Sequence, residues 1–141
     1  MKLKELMTDN VHCCSPRDTV SEAAKMMRGI NVGIIPVCEG EQLIGVITDR
    51  DIVLNVVAEG KDANRVLIEN CMSSTVVTSH PEMDAHEAAE LMSEHQVRRL
   101  PVVEKGQLVG IVSIGDLATV GIHENEAGRA LSEISVPSRP H

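Results

Sequence analysis

The chain has 141 residues, of which 43% are hydrophobic and 24% charged, enough for one ordinary core or two small coupled ones. Its 13 Lys and Arg against 21 Asp and Glu give a formal net charge of −8, and it contains no Phe, Tyr or Trp. An acidic chain does not attract phosphate backbones or anionic membranes, and without aromatic rings nothing can stack on a base. We therefore expect no nucleic-acid partner.

Location and cysteine usage follow from the same inspection. No apolar run approaches the roughly 20 residues of a membrane span, and the polar stretch MKLKELMTDN lacks the apolar core of a signal peptide. We therefore expect a cytoplasmic protein with no membrane partner.

The four cysteines of the sequence form no C-x-x-C motif; they are Cys13, Cys14, Cys38 and Cys71. In a reducing cytosol, each is first expected to be a small buried apolar side chain.

An internal repeat organises the chain. Residues 7–53 align without a gap on residues 72–118, and fifteen of the 47 aligned pairs are identical. This duplication predicts two copies of one supersecondary unit. The predicted domains are repeat 1 (1–58), a linker (59–70), repeat 2 (71–120) and a C-terminal extension (121–141), with a short helix around Asn125–Glu133.

The first half of each copy predicts a short β segment followed by a helix. Each β segment ends at a proline, and a capping box then starts the helix. The β segments are Val11–Cys14 and Val76–Ser79, and the capping boxes are Thr19-x-x-Glu22 and Asp84-x-x-Glu87. Apolar residues at i, i+3, i+4 and i+7 predict the buried helix faces. These faces are Val20, Ala23, Ala24 and Met27 in the first copy and Ala85, Ala88, Ala89 and Met92 in the second.

The second half of each copy predicts a β-hairpin and a last helix. The strands are 34–38 with 43–48 and 100–104 with 108–113, and the short polar turns between them contain Gly40 and Gly106. The last helices start at Asp49 and near Gly115. The fold class is therefore α+β, with two tandem β-α-β-β-α repeats. One such unit leaves a sheet face unprotected, so the two are expected to pack through their sheets.

Two motifs recur at the repeat offset. One is a strand ending in or containing Pro-Val, IIPV (34–37) and LPVV (100–103); the other is a strand-to-helix signature, GVITDRD (45–51) and GIVSIGD (110–116). With the tandem arrangement, they resemble cystathionine-β-synthase (CBS) domain pairs, especially small stand-alone bacterial ones, over about residues 3–120. The resemblance implies two clefts between the repeats with pseudo-twofold symmetry, adenine nucleotides (AMP, ADP, ATP) or other adenosine compounds as ligands, and no catalytic chemistry.

The signature residues suit a nucleoside. A carboxylate can accept hydrogen bonds from both ribose hydroxyls, and Asp51 and Asp116 occupy that place in the signature. The hydroxyls of Thr48 and Ser113 lie where a strand ends and a helix begins, which favours a phosphate or sugar oxygen. The same spacing is also a plain helix cap that needs no ligand, and one residue can serve both purposes.

Arg98 and Arg99 are the largest difference between the copies, since Gly33 and Ile34 are their counterparts. The guanidinium fork suits phosphate, although a solvated surface charge is the alternative. Because neighbours on a strand point to opposite faces, one of the two is expected to reach a cleft. In the family, a basic residue here serves the cleft that uses the second copy's Asp.

The resemblance assigns candidate ligand-binding residues to each cleft. The first cleft is predicted to contain Val11, His12, Val32, Gly33, Arg98, Arg99, Ser113 and Asp116. The opposite cleft is predicted to contain Val76, Val77, Val97, Thr48 and Asp51, with Arg50, Lys61 or Arg65 as possible phosphate partners. Adenine would lie between aliphatic side chains that a simple core would also use, namely Val11, Val32 and Ile111 or Val76, Val97 and Val46.

The predicted function is a non-catalytic regulatory module, a homodimer that senses an adenine nucleotide and is read by an unidentified protein target. The chain has no Walker loop, no G-x-G-x-x-G and no G-x-S-x-G, so we predict no enzyme, no catalytic residue, no bound cofactor and no metal. One alternative is a redox- or metal-responsive stress protein, because Cys13 or Cys14 could reach Cys38 if their strands pair. Another is a structural interaction module with empty clefts.

Overall fold

A computed structural model describes residues 1–119 of the chain, as helices and antiparallel hairpins. The predicted helix around Asn125–Glu133 and the rest of the extension lie outside the described residues. The described chain forms two compact units, one of residues 12–76 and the other of residues 1–11 with the chain from residue 77 onward. Across residues 1–119, none of the helices is both long and apolar enough to cross a bilayer. The predicted α+β class is confirmed.

The unit of residues 12–76 contains one helix, one hairpin and a second helical segment. Its elements are α1 (Val20–Ile30), β1 (Ile34–Glu39), β2 (Gln42–Thr48), α2 (Asp49–Ile52), a π-helical turn (Val53–Val57) and a 3-10 turn (Ile68–Asn70). The Thr19 hydroxyl starts α1 by accepting the amide of Glu22 at 3.3 Å, and Asn31 ends it in the left-handed region at φ 57°. Gly40, at φ 61°, supplies the hairpin turn.

The other unit repeats this order. Its elements are a 3-10 turn (Leu3–Glu5), α3 (Ala85–His95), β3 (Arg99–Glu104), β4 (Gln107–Ser113) and α4 (Ile114–Thr119). The Asp84 carboxylate starts α3 by accepting the amide of His86 at 3.0 Å. Lys105 and Gly106 both have positive φ, as a two-residue hairpin turn of type I′ requires. The predicted helices and hairpins are therefore present in both units.

Each unit has its own apolar core. The fully buried large side chains are Val20, Ile35, Val37, Ile47, Val56 and Ile68 in one unit and Leu3, Met92, Leu100, Val102, Val112 and Leu117 in the other. Seven of the eight predicted helix-face residues are buried, but Ala24 is exposed. The prediction for Ala24 is wrong because it lies at the rim of an open cleft rather than under the hairpin.

The predicted β segments Val11–Cys14 and Val76–Ser79 are only partly β. In each, one residue forms a parallel bridge: Cys14 with Val37 and Ser79 with Val102. A proline follows two residues after each bridge and has no amide to donate, so the pairing cannot extend.

The first residues of each copy, with the segment before them, form a lead segment that packs on the other copy. Residues 1–11 pair with the second copy: the amide of Leu3 donates to the carbonyl of Met83 at 2.9 Å, and Thr8 exchanges two backbone bonds with Ile111. Residues 66–76 pair with the first copy in the same way, because Val46 and Ser73 exchange two bonds of 3.0 and 2.9 Å. Each compact unit therefore contains a hairpin and helices from one repeat and the lead segment of the other.

Candidate functional site

The signature of the first copy folds into a reciprocal helix cap. The amide of Thr48 donates to Oδ2 of Asp51 at 2.9 Å, and the amide of Asp51 donates to Oγ1 of Thr48 at 3.0 Å. Both residues are half-buried where β2 ends and α2 begins. The cap interpretation of this spacing is confirmed, and a hydroxyl that accepts one bond can still donate its own proton.

The second copy builds the same arrangement. The amide of Ser113 donates to Oδ2 of Asp116 at 2.8 Å, and the amide of Asp116 donates to the Ser113 hydroxyl at 3.1 Å. Both side chains are again half-buried, where β4 ends and α4 begins. The two copies therefore hold a hydroxyl and a carboxylate in the same relation, each carboxylate using one oxygen in its cap.

The two arginines lie beside the second signature. Arg99 opens β3 opposite Ser113 in the strand register and is half-buried. Arg98 is exposed, and its carbonyl accepts the amide of Ile114 at 2.8 Å. The structure thus brings Arg98, Arg99, Ser113 and Asp116 to one end of one hairpin. Which guanidinium meets a ligand stays a prediction.

Other predicted residues of this unit lie partly in its core. Val77 and Val97 pack against the buried cluster around Met92. Ile111 is half-buried, and its backbone is committed to Thr8. Val11 is half-buried at the boundary of the lead segment.

The unit of residues 12–76 holds the remaining predicted residues. Val32 packs against the core around Val20, and Gly33 accepts the amide of Asp49 at 2.9 Å through its carbonyl. His12 is exposed, Val76 is half-buried and Val46 is only 8% exposed. Val46, proposed as an adenine contact, is therefore a core side chain.

One open cleft of about 340 Å³ lies within this unit, between α1 and the helical segment after β2. It is lined by Ala24, Met27, Arg28, Val32, Asp49, Ile52 and Val53. Only Val32 among these was predicted as a site residue. Asp49 was not predicted as a site residue. The sequence does mark it as a difference between the two copies, because its counterpart in the second copy is Ile114.

The three candidate phosphate partners of the first signature are all exposed. Nε of Arg65 lies 3.7 Å from Oδ2 of Asp62, a pair between exposed side chains that contributes little to stability. The backbone amide of Arg50 donates to Asp49 at 2.8 Å. A phosphate contact by Arg50, Lys61 or Arg65 stays a prediction.

The thiols differ in environment. Three thiols are buried as expected, those of Cys14, Cys38 and Cys71. The expectation of burial is wrong for Cys13, which is exposed because it precedes the residue that forms the bridge, Cys14. Burial raises the pKa of the Cys14 thiol to about 11. Burial, and in addition the neighbouring Cys13, raise the pKa of the Cys38 thiol to about 12. In the described part of the chain, no three His, Cys, Asp or Glu side chains are grouped to hold a metal ion.

Comparison with known proteins identifies the fold. The family model of the CBS domain matches residues 3–58 and again residues 68–122. The chain belongs to the CBS-domain family. The CBS domain-containing protein YhcV of Bacillus subtilis is 45% identical over 133 residues, which span 94% of each chain.

Solved CBS-pair structures share the fold. The putative acetoin utilization protein AcuB from Vibrio cholerae superposes with a TM-score of 0.79 at 28% identity, over 97% of this chain and 98% of that one. Hypoxic Response Protein I, whose crystal structure contains two coordinated zinc ions, superposes with a TM-score of 0.77 at 33% identity, over 85% and 98%. The chain is therefore a tandem CBS-pair protein, as the sequence motifs indicated.

Proposed function

We propose that this CBS-pair protein is a non-catalytic regulator that senses AMP, ADP, ATP or a related adenosine compound. The observation that carries the proposal is the duplicated signature: Thr48 with Asp51, and Ser113 with Asp116, hold a hydroxyl and a carboxylate in matching geometry. A carboxylate can accept several hydrogen bonds at once, so accepting the cap amide at Oδ2 is compatible with accepting ribose hydroxyls.

Arg98 and Arg99 support a phosphorylated ligand at the second signature. Arg99 opens the strand that pairs with Ser113, Arg98 directly precedes it, and their cationic forks match phosphate oxygens. The first copy has Gly33 and Ile34 there, so we propose that the second signature binds the nucleotide phosphate more tightly than the first. Ligand binding then favours one conformation of the protein, which a target protein reads.

A thermal-shift screen of the whole chain tests this function. AMP, ADP, ATP and adenosine are each added, with GMP as the control for the base. A ligand at one hundred times its Kd stabilises the folded state by about 2.7 kcal/mol, which raises Tm by several degrees. If every adenosine compound leaves Tm unchanged, the nucleotide proposal fails and the structural module with empty clefts takes its place.

We also propose that the protein is a homodimer, with a second copy covering the apolar surface formed by Val53, Leu54 and Val57. These side chains are 53%, 45% and 65% exposed on one helical segment, and monomers rarely expose contiguous large apolar side chains. Sedimentation equilibrium is expected to give twice the chain mass for the wild type and a weaker dimer for Val57→Glu. An unchanged dimer in Val57→Glu places the interface elsewhere, and a monomeric wild type contradicts the proposal.

A redox-responsive role is the second candidate, because Cys13 and Cys38 flank the bridge between Cys14 and Val37 on the same side, where Cys13 raises the pKa of Cys38. The metal-responsive version of it is tested by metal analysis of the purified protein.

We propose the cytoplasm as the site of action, in keeping with four cysteines that are free thiols in the structure.

A further inference from the structure

The bridge before α1 fixes where the neighbouring thiols point. The amide of Cys14 donates to the carbonyl of Pro36 at 3.0 Å, and the amide of Cys38 donates to the carbonyl of Cys14 at 2.9 Å. Consecutive residues in an extended segment point to opposite sides. The Cys14 thiol accordingly lies against α1, with its sulfur 3.8 Å from the sulfur of Met26. The Cys13 thiol lies on the other side, which the thiol of Cys38 also faces, because Cys38 follows Val37, the bridge partner of Cys14. The two thiols are close enough for Cys13 to raise the pKa of Cys38.

The thiols of Cys13 and Cys38 differ in access to solvent. Cys13 is exposed, whereas Cys38 on β1 is only 5% exposed. The second copy of the repeat carries Thr78 and Val103 at the corresponding positions, so the fold forms without thiols there. The pair is therefore an addition to the first copy rather than a packing requirement.

We propose that Cys13 and Cys38 form a reversible intrachain disulfide when the protein meets a peroxide. The exposed Cys13 thiolate attacks the peroxide, its sulfur becomes a sulfenic acid, and one water leaves. The Cys38 sulfur then attacks the Cys13 sulfur, the S–S bond forms, and the displaced hydroxide takes the Cys38 proton and leaves as a second water. In total, two thiols and one hydrogen peroxide give one disulfide and two waters. A dithiol reductant reverses the reaction.

The order of these steps follows from the environment of each thiol. Burial and the neighbouring Cys13 hold the pKa of Cys38 near 12, so Cys38 is almost wholly protonated at neutral pH and is a poor first nucleophile. Cys13 is the thiol that a peroxide in solution can reach. Since the thiolate of Cys38 becomes more abundant at each higher pH, the closing step is expected to accelerate with pH while the protein stays folded.

The experiment uses the whole chain, freshly reduced and treated with hydrogen peroxide. Because Cys13 and Cys14 share one tryptic peptide, variants are needed to tell them apart, and the second repeat supplies tolerated replacements at all three positions. Cys13→Thr, Cys14→Ser and Cys38→Val each introduce the residue that the other copy already uses. Ser79, the counterpart of Cys14, is buried and donates to the carbonyl of Pro101 at 2.9 Å, so serine suits position 14.

The expected result is a loss of two of the four free thiols in the wild type, with no interchain product on a non-reducing gel. Cys14→Ser keeps this loss, whereas Cys13→Thr and Cys38→Val abolish it, and thermal unfolding shows each variant to be folded beforehand. A wild type that keeps four thiols, a disulfide that persists in Cys13→Thr, or one that disappears in Cys14→Ser overturns the proposal. These outcomes do not depend on nucleotide binding, since no nucleotide is present.

Discussion

Gly45→Ala is expected to lower the free energy of unfolding by about 1–3 kcal/mol, as overpacking of a dense interior does. A Cβ on Gly45 would lie 2.6 Å from the carbonyl oxygen of Ser73 and 3.1 Å from the sulfur of Met72. That carbonyl also accepts the amide of Val46, so relieving the clash displaces the lead segment 66–76 from β2. Urea denaturation followed by circular dichroism measures the loss as a lower midpoint.

Two glycines provide matched comparisons. A Cβ on Gly29, in the last turn of α1, would meet no atom within 4 Å from the rest of the described chain beyond its own helix backbone. Gly29→Ala is therefore expected to be neutral or to stabilise by up to about 1 kcal/mol. Gly110→Ala meets the flexible Met7 sulfur at 2.6 Å and the Thr8 carbonyl at 3.0 Å, so its cost is expected to be smaller than that of Gly45→Ala. Equal urea midpoints for Gly45→Ala and Gly29→Ala would show that the close approach of Gly45 to the Ser73 carbonyl does not affect stability.

Asp116→Asn is expected to remove most of the rise in Tm that the best adenosine ligand produces. The asparagine side chain keeps an oxygen that can accept the amide of Ser113, but it removes the negative charge proposed to hold the ribose hydroxyls. Asp116→Ala is a poorer test, because it also deletes a cap hydrogen bond that contributes about 0.5–1.5 kcal/mol. The ligand-induced shift in Tm, measured against each variant's own ligand-free Tm, separates binding from stability.

Thr19→Ala is the matched control for this prediction. It removes a helix-cap bond of the same kind at α1, which costs about 1 kcal/mol, and Thr19 lies outside the predicted ligand-binding residues. Its ligand-free Tm is expected to fall while its ligand-induced shift stays at the wild-type value. A full ligand-induced shift in Asp116→Asn would mean that Asp116 is only a cap. Asp51→Asn makes the same comparison at the first signature.

The sequence predicted the helices and hairpins closely because their signals are local. Thr19 and Asp84 precede helices that begin at the next residue, and Gly40 and Gly106 lie in the turns. The partner of a lead segment is not a local property. Nothing around Thr8 or Ser73 indicates that it pairs with the other copy, since that choice depends on contacts far apart in the chain.

The candidate site was predictable to a similar extent. Spacing alone predicted the bonds between Thr48 and Asp51 and between Ser113 and Asp116, because a cap needs only four consecutive residues. The valines were harder, since an aliphatic side chain suits both a base and a core, and Val46 proved to be core. The exposure of Ala24 and the participation of Asp49 in a cleft depend on how α2 lies against α1, which no short pattern encodes.

The exchange of lead segments orders the events of biosynthesis. A ribosome delivers residues 12–76 as one uninterrupted stretch, so that unit can complete its core while the second repeat is still being made. Residues 1–11 leave the ribosome before residues 12–76, yet their partners, such as Met83 and Ile111, are translated only after that stretch. Residues 1–11 therefore stay unpaired until the second repeat has been made, and the second unit closes only after β3 and β4 appear.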